Sequence, residues 1–261
     1  MIANYVYYTD ILEIIGKWKI ISLRNLYNLT FKGCAYESFK RKIRKLEQMQ
    51  LIKHKRYSHN KKYLYLTELG FKYTQGVNKL EPSQDIFLHD LLLSEILVET
   101  LKFSKVTDVT CYPQFESRIE PDGMIYALSG DEELKIALEV ELTQKSKTRV
   151  VSKLEEYRDS ALYDFVLFVT NSERISKTYS RYINELDSSI IQKSVLILNP
   201  DMQPTDINLE KSICIYKGKR VKFTSILGEK AMSQSESSTV VVNSRPEKLT
   251  EQKPTFTNVL N

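Results

Sequence analysis

The chain has 261 residues, of which 42% are hydrophobic and 27% charged. That balance suits a folded protein with a real core and excludes a wholly disordered one. Its longest apolar runs, Leu91-Leu92-Leu93 and Phe165-Val166-Leu167-Phe168-Val169, are far too short to span a bilayer. The net charge of +5 is unevenly placed. Residues 1–80 carry 16 Lys/Arg against 5 Asp/Glu, a net +11, and residues 81–261 carry 22 against 28, a net −6. A basic module joined to a mildly acidic one points to an anionic polymer bound through the first module. A lysine-rich surface kept for solubility is the plainer alternative. Cys34, Cys111 and Cys214 are odd in number and widely spaced. They form neither a zinc nor a disulfide pattern, and a reducing cytoplasm is expected. The start, Met1-Ile2-Ala3-Asn4-Tyr5, does not read as a secretory signal.

In chain order, Ile11, Leu12, Ile14, Ile15 and Trp18 recur at helical spacing, with Thr9 or Asp10 as N-cap. A short second helix covers residues 22–28, and Phe31-Lys32-Gly33-Cys34 reads as a turn. A third helix covers 36–49, with Phe39, Ile43 and Leu46 on one face. Residues 51–57 and 62–67 are predicted strands around the polar loop Ser58-His59-Asn60-Lys61, and Thr67-Glu68-Leu69-Gly70 starts or caps a further helix. Three helices followed by a basic hairpin is the pattern of a winged helix-turn-helix. The helix exit Lys45-Leu46-Glu47-Gln48-Met49-Gln50-Leu51-Ile52 resembles that of such a recognition helix, with Gln50 in place of the usual glycine.

Residues 77–84 are the expected linker. An amphipathic helix is predicted over 85–103, carrying Leu88, Leu92, Ile96, Leu97 and Leu101. Strands follow at 109–115, 119–128 and 134–142, with a turn at Ser129-Gly130-Asp131-Glu132. Next come a helix over 147–158, a buried-type strand over 164–170, a helix over 175–185 and an apolar strand at 195–198. A last hairpin is expected around Lys217-Gly218-Lys219-Arg220. Residues 228–261 are rich in Ser, Thr, Gln, Glu and Lys and read as a disordered tail. Its end, Phe256-Thr257-Asn258-Val259-Leu260, reads first as a frayed terminus and second as a docking motif.

Two constellations carry chemistry. Lys40, Arg41, Arg44 and Lys45 on the third helix, and Lys53, Lys55, Arg56, Lys61 and Lys62 on the hairpin, are candidate contacts to double-stranded DNA. His54 and His59 fit surface or phosphate contacts better than metal bonds. The second constellation is acidic. Alternation on the strand points Lys135, Ala137, Glu139 and Glu141 one way and Ile136, Leu138, Val140 and Leu142 into the core. Asp122 lies on the preceding strand. Hard oxygen ligands from Asp122 and Glu139 suit Mg²⁺, and such a metal activates water beside a scissile phosphate. The plainer alternative makes Glu139 and Glu141 the solvated face of a half-exposed strand and Pro121-Asp122 an ordinary turn.

The order helix, three antiparallel strands, helix, strand, with Pro121-Asp122 and Glu139-Val140-Glu141, resembles the PD-(D/E)xK nuclease superfamily over roughly residues 85–200. The resemblance implies catalytic roles for Asp122, Glu139, the residue at Glu141 and a lysine. Glu141 stands where that pattern has Lys. Lys145, Lys147 or Lys153 could substitute, with Lys153 on the next helix best placed to reach. Glu95 matches an additional acid found in some members. The basic N-terminal segment, His89-Asp90-Leu91-Leu92, Pro121-Asp122, Leu138-Glu139-Val140-Glu141 and Lys153-Leu154-Glu155-Glu156-Tyr157 together resemble the replication-relaxation family of plasmid and mobile-element proteins. That resemblance implies an α+β chain: an N-terminal winged helix-turn-helix (1–76), a linker, a restriction-endonuclease-like α/β domain with a mixed central sheet (85–227) and a tail. It also implies a role in plasmid replication, relaxation or mobilisation. A second copy of the chain, as a homodimer, and a replication or mobilisation protein bound through the tail are further expected partners; a membrane is not. The rival reading is a non-catalytic DNA-binding transcription regulator or replication accessory whose second domain binds a protein. A pure interaction adaptor would have no DNA affinity.

Overall fold

The computed structural model describes residues 3–30, 34–58, 60–74, 86–113, 119–198 and 207–229. The first three residues of the expected turn 31–34, His59, the linker 77–84 and the tail from residue 230 onward lie outside these residues. By packing, the chain divides into Met1–Ala231 and Met232–Asn261.

The N-terminal elements are α1 (Ala3–Trp18), β1 (Ile21–Ser22), α2 (Leu23–Thr30), α3 (Tyr36–Gln48), β2 (Ile52–Tyr57), β3 (Lys61–Leu66) and α4 (Glu68–Phe71). The strands form an antiparallel sheet in the order β1-β3-β2. Ile11, Leu12 and Ile15 from α1 bury against Leu26, Phe39, Ile43 and Leu46 from the next two helices and Leu64 and Leu66 from β3. That is the periodic apolar set seen in the sequence, with β1 as an addition too short to leave a periodic signal. Thr67 caps α4: its hydroxyl accepts from Gly70 N at 3.0 Å and donates to Gln50 O at 2.6 Å. Gln50, in the usual place of glycine, adopts φ 57°. A side chain in this left-handed region costs about 1–2 kcal/mol. The turn is nevertheless held by Gln50 N–Glu47 O, Leu51 N–Leu46 O and the Thr67 hydroxyl.

The next helix, α5 (Phe87–Thr100), begins two residues later than expected. The amphipathic reading fails here: Asp90 through Thr100 are all buried, and only Leu88 among its large apolar residues is exposed. The reason is tertiary. One side of α5 meets Ile20 and Tyr63 of the N-terminal elements, and the other meets the apolar face of a second sheet.

That sheet contains β4 (Val106–Cys111), β5 (Gly123–Ser129) and β6 (Glu132–Glu141). After α6 (Lys147–Asp159) come β7 (Phe165–Thr170), α7 (Glu173–Asn184), α8 (Ser188–Lys193), β8 (Ser194–Leu198), β9 (Ile213–Tyr216), β10 (Lys219–Lys222) and α9 (Thr224–Leu227). The order is β10-β9-β8-β7-β6-β5-β4. Strands β6, β7 and β8 are parallel and the rest antiparallel, so the fold is mixed α+β with a mixed sheet. Ile136, Leu138 and Val140 pack with α5 on one face, while Ala137, Val166, Phe168 and Leu196 pack with α6 and α7 on the other. The half-exposed picture of β6 is therefore wrong for its C-terminal half: from Ile136 to Glu141 every residue is buried. Gly123 permits the close approach of α5, since a Cβ there would lie 3.0 Å from Leu97 Cδ1 and 3.2 Å from Leu93 Cδ1. No helix among the described residues is long and apolar enough to cross a membrane.

Candidate functional site

Gly123 pairs with Leu138, which sets Asp122 beside the C-terminal half of β6. The Val140 N–H donates to Asp122 Oδ2 at 2.9 Å, and His89 Nε2 lies 3.1 Å from the same oxygen. Burial pushes the Asp122 carboxyl up. The hydrogen bond and charge of His89, the Val140 N–H and Lys153 outweigh it and hold the group below its ordinary value.

Glu139 is buried, and both its oxygens are engaged by α6: Lys153 Nζ binds Oε2 and the Tyr157 hydroxyl donates to Oε1. Burial pushes the Glu139 carboxyl up to about 7; Lys153 opposes the shift and Asp122 adds to it. Glu141 is also buried and raised by burial, again opposed by Lys153 and then Lys145. Lys153 thus acts on Asp122, Glu139 and Glu141 together. Of the three lysines weighed for the missing position, it alone forms an ion pair with Glu139. Lys147 pairs with Glu185 instead, at 2.6 Å. Glu95 does not join the site. It faces the N-terminal sheet and pairs with Lys61 at 3.0 Å, because α5 turns position 95 away from position 89.

In the sequence His89 and Asp90 stand out only within a family likeness, and the structure gives both residues definite partners. Asp90 is 1% exposed and pairs with Lys19 at 2.7 Å, while the Tyr112 hydroxyl donates to its other oxygen. The Lys19 ammonium also sits 4.4 Å from the centre of the Tyr112 ring. Burial works against a proton on His89, but hydrogen bonds to Asp122 and Asp90 lift it to about 9. Tyr157, four residues after Lys153 on α6, likewise stands in the sequence only as the end of the Lys153–Tyr157 stretch of that likeness, with no role given to it.

Asp122 and Glu139 offer the hard oxygen donors that Mg²⁺ takes. No described group donates to Asp122 Oδ1. A cation at Glu139 would share Oε2 with Lys153 or displace it. Among the described residues no three His, Cys, Asp or Glu side chains form a ready metal cage.

A separate groove of about 430 Å³ runs between α3 and the β2–β3 hairpin, lined by Lys40, Arg44, Arg56, Lys61 and Lys62, with Arg24 and Tyr36. It gathers five of the nine predicted DNA contacts and adds Arg24. Lys62 pairs with Glu47 at 2.7 Å, while the Lys61 ammonium is drawn to Glu95 on α5 at 3.0 Å, on the strand face opposite Lys62. Arg41 and Lys45 are exposed on α3 outside the groove lining. Lys55 lies over the Phe87 ring at 4.0 Å, and Lys53, two residues earlier on β2, is exposed. Strand alternation turns both away from the groove.

A sequence profile described as Replication-relaxation matches residues 12–164. The chain belongs to the replication-relaxation family. The match takes in the basic groove, His89, Asp122, Glu139, Glu141 and Lys153, and ends just before β7. No curated protein matches this replication-relaxation chain. A solved structure of the restriction endonuclease FokI is similar over 67% of the chain at 13% identity, with a TM-score of 0.25. The similarity spans 38% of that structure's chain, and at this score it bears no weight on fold or activity.

Proposed function

We propose that the chain is a DNA-binding protein of plasmid or mobile-element replication or mobilisation. Its N-terminal elements act as a winged helix-turn-helix holding double-stranded DNA, and the larger sheet is a PD-(D/E)xK, restriction-endonuclease-like domain that nicks DNA with Mg²⁺. The observation that carries this reading is the Lys153–Glu139 ion pair, with Asp122 held beside it by the Val140 N–H, at the C-terminal end of a parallel strand, the end where open α/β sheets place their ligands. Asp122 and Glu139 would hold the metal, since Mg²⁺ is commonly bound by one or two carboxylates plus phosphate oxygens. When bound, Mg²⁺ supplies an activated water and charge neutralisation at the scissile phosphate. His89 fixes the rotamer of Asp122, Tyr157 fixes Glu139, and Lys153 stands in for the cation absent from position 141.

Supercoiled plasmid incubated with Mg²⁺ tests this. The native chain is expected to nick, EDTA to stop it, and Asp122→Ala to bind DNA normally without nicking. Equal nicking by both proteins would rule out this centre. On the DNA side, Arg44→Glu with Arg56→Glu is expected to flatten the slope of log affinity against log salt by about 2, since each phosphate contact contributes roughly 0.9. An unchanged slope in a duplex titration would remove the groove from the reading.

A second reading has its own support. Both Glu139 oxygens are already satisfied within the protein, and Glu141 replaces a lysine. These favour a non-catalytic DNA-binding regulator or replication accessory whose second domain binds a protein. Salt-dependent duplex binding without nicking or metal uptake by the native chain would select it.

A further inference from the structure

The C-terminal part of the chain is acidic on balance, yet its sheet ends in a cationic edge. Between Glu210 and Glu229 there are five cations, Lys211, Lys217, Lys219, Arg220 and Lys222, and no acid. All five are exposed. The hairpin turn at Lys217-Gly218 has φ 51° and 71°, the two-residue geometry that normally selects Asn, Asp or Gly. Here its first position carries a lysine, with Nζ 5.0 Å from the Tyr216 ring centre. Beside the hairpin, a groove of about 510 Å³ opens between Arg220 and α7, where Lys177 and Arg181 project. The acids in that groove are Glu173 and Glu185. Each is already paired, Glu173 with Lys177 at 3.0 Å and Glu185 with Lys147 at 2.6 Å.

Strand register ties this edge to the carboxylates. Glu139 pairs with Phe168, Phe168 with Leu196, Leu196 with Ile215 and Ile215 with Arg220. Arg220 therefore lies in the same row as Glu139, four strands away, or about 19 Å at 4.8 Å per strand. Along duplex DNA, about 19 Å corresponds to five or six base pairs at 3.4 Å each.

We infer that the β9–β10 hairpin, with the α7 groove beside it, is a second phosphate-binding surface that holds the nucleic-acid backbone about half a helical turn from the carboxylate centre. This rests on the nucleic-acid reading above. Repeated phosphates on a rigid polymer match a row of exposed cations set beside donors on Ser176, Ser180 and Asn184.

The test uses the full chain and a 30-base-pair duplex, followed by fluorescence anisotropy across salt concentrations. The variants are Lys219→Glu/Arg220→Glu/Lys222→Glu and the same three positions changed to Gln. Both triples are expected to melt like the native chain, since the three side chains are exposed, and to flatten the salt slope by about 2 to 3. The affinity loss between 50 and 200 mM salt would then shrink by roughly 40-fold at a slope change of 2.7. An unchanged slope in both triples overturns the inference. So does binding to phosphatidylglycerol vesicles that the triples abolish while duplex binding stays native. The groove variant Arg44→Glu/Arg56→Glu is run alongside. If it binds DNA like the native chain while the triples weaken binding, the N-terminal reader fails and the hairpin stands. The reverse pattern removes the hairpin alone.

Discussion

Glu139→Gln is expected to abolish Mg²⁺-dependent nicking and, at the same time, to stabilise the fold increasingly as pH rises from 5 to 8. The loss of nicking should exceed about a hundredfold, the effect already seen when a group merely supporting a metal ligand is removed. The stability effect follows from burial, which raises the Glu139 carboxyl from 4.5 to about 7. Between those values the folded chain holds a proton that the unfolded chain has released, so stability falls as pH rises through this window. Gln has no such titration and keeps an oxygen to accept from Tyr157. Lys153 retains Asp122 and Glu141 as neighbours. The difference in melting temperature, variant minus native, should therefore grow between pH 5 and pH 8. Thermal scans at the two pH values check it, and a flat or falling difference would show that the native protein bears no cost for holding a charge there. A gain in stability with loss of activity is the trade-off expected of a site that keeps a carboxylate dry for chemistry.

Lys19→Met should cost about 3 to 5 kcal/mol, because removing one partner of a buried ion pair leaves the other charge uncompensated. Lys19 and Asp90 are 6% and 1% exposed and 2.7 Å apart. For a chain of this size that corresponds to a fall in melting temperature of about 2–4 °C per kcal/mol. Burial pushes the Asp90 carboxyl up, but hydrogen bonds from His89, Lys19 and Tyr112 outweigh it and hold the group below 3.8. Its stabilising contribution is present in full above 3.8 and is lost as pH falls from there through the lower folded value. Lys19→Met should thus be most harmful near neutrality and less so in acid. The double variant Lys19→Met/Asp90→Leu should recover part of the loss, since a neutral buried pair needs no compensation. Urea titrations of the three proteins measure this, and a single-variant cost below 1 kcal/mol would mean that water or relaxation reaches Asp90.

Much of the element order was legible because apolar spacing records which face of an element is buried. Phe39, Ile43 and Leu46 predicted a helix face, and all three lie in the core. The nearness of Asp122 and Glu139 was legible too, since a short turn between adjacent strands leaves few registers. What the sequence concealed depends on contacts between distant segments. The apolar run of α5 reads as one amphipathic face, whereas two sheets enclose the helix, and no local pattern announces a second neighbour. Glu95 was misplaced for the same reason: a carboxylate on a helix enclosed on both sides can turn toward either neighbour, and Lys61 decides which. His89 was visible only as part of the stretch His89-Asp90-Leu91-Leu92, because its partner Asp122 is 33 residues away. The two-residue β1 and the six-residue α8 are too short for periodicity to register.

The enclosure of α5 has a mechanical consequence. Ile20, Tyr63, Phe87 and Leu91, together with the Lys19–Asp90 and Lys61–Glu95 pairs, weld this helix to the N-terminal elements while its far side is welded to the second sheet. Hinging between the two would strand buried charges in an apolar seam. If the proposed function holds, a duplex seated against α3 would meet the carboxylates at a constant offset, and a nick would fall a set number of base pairs from the seat.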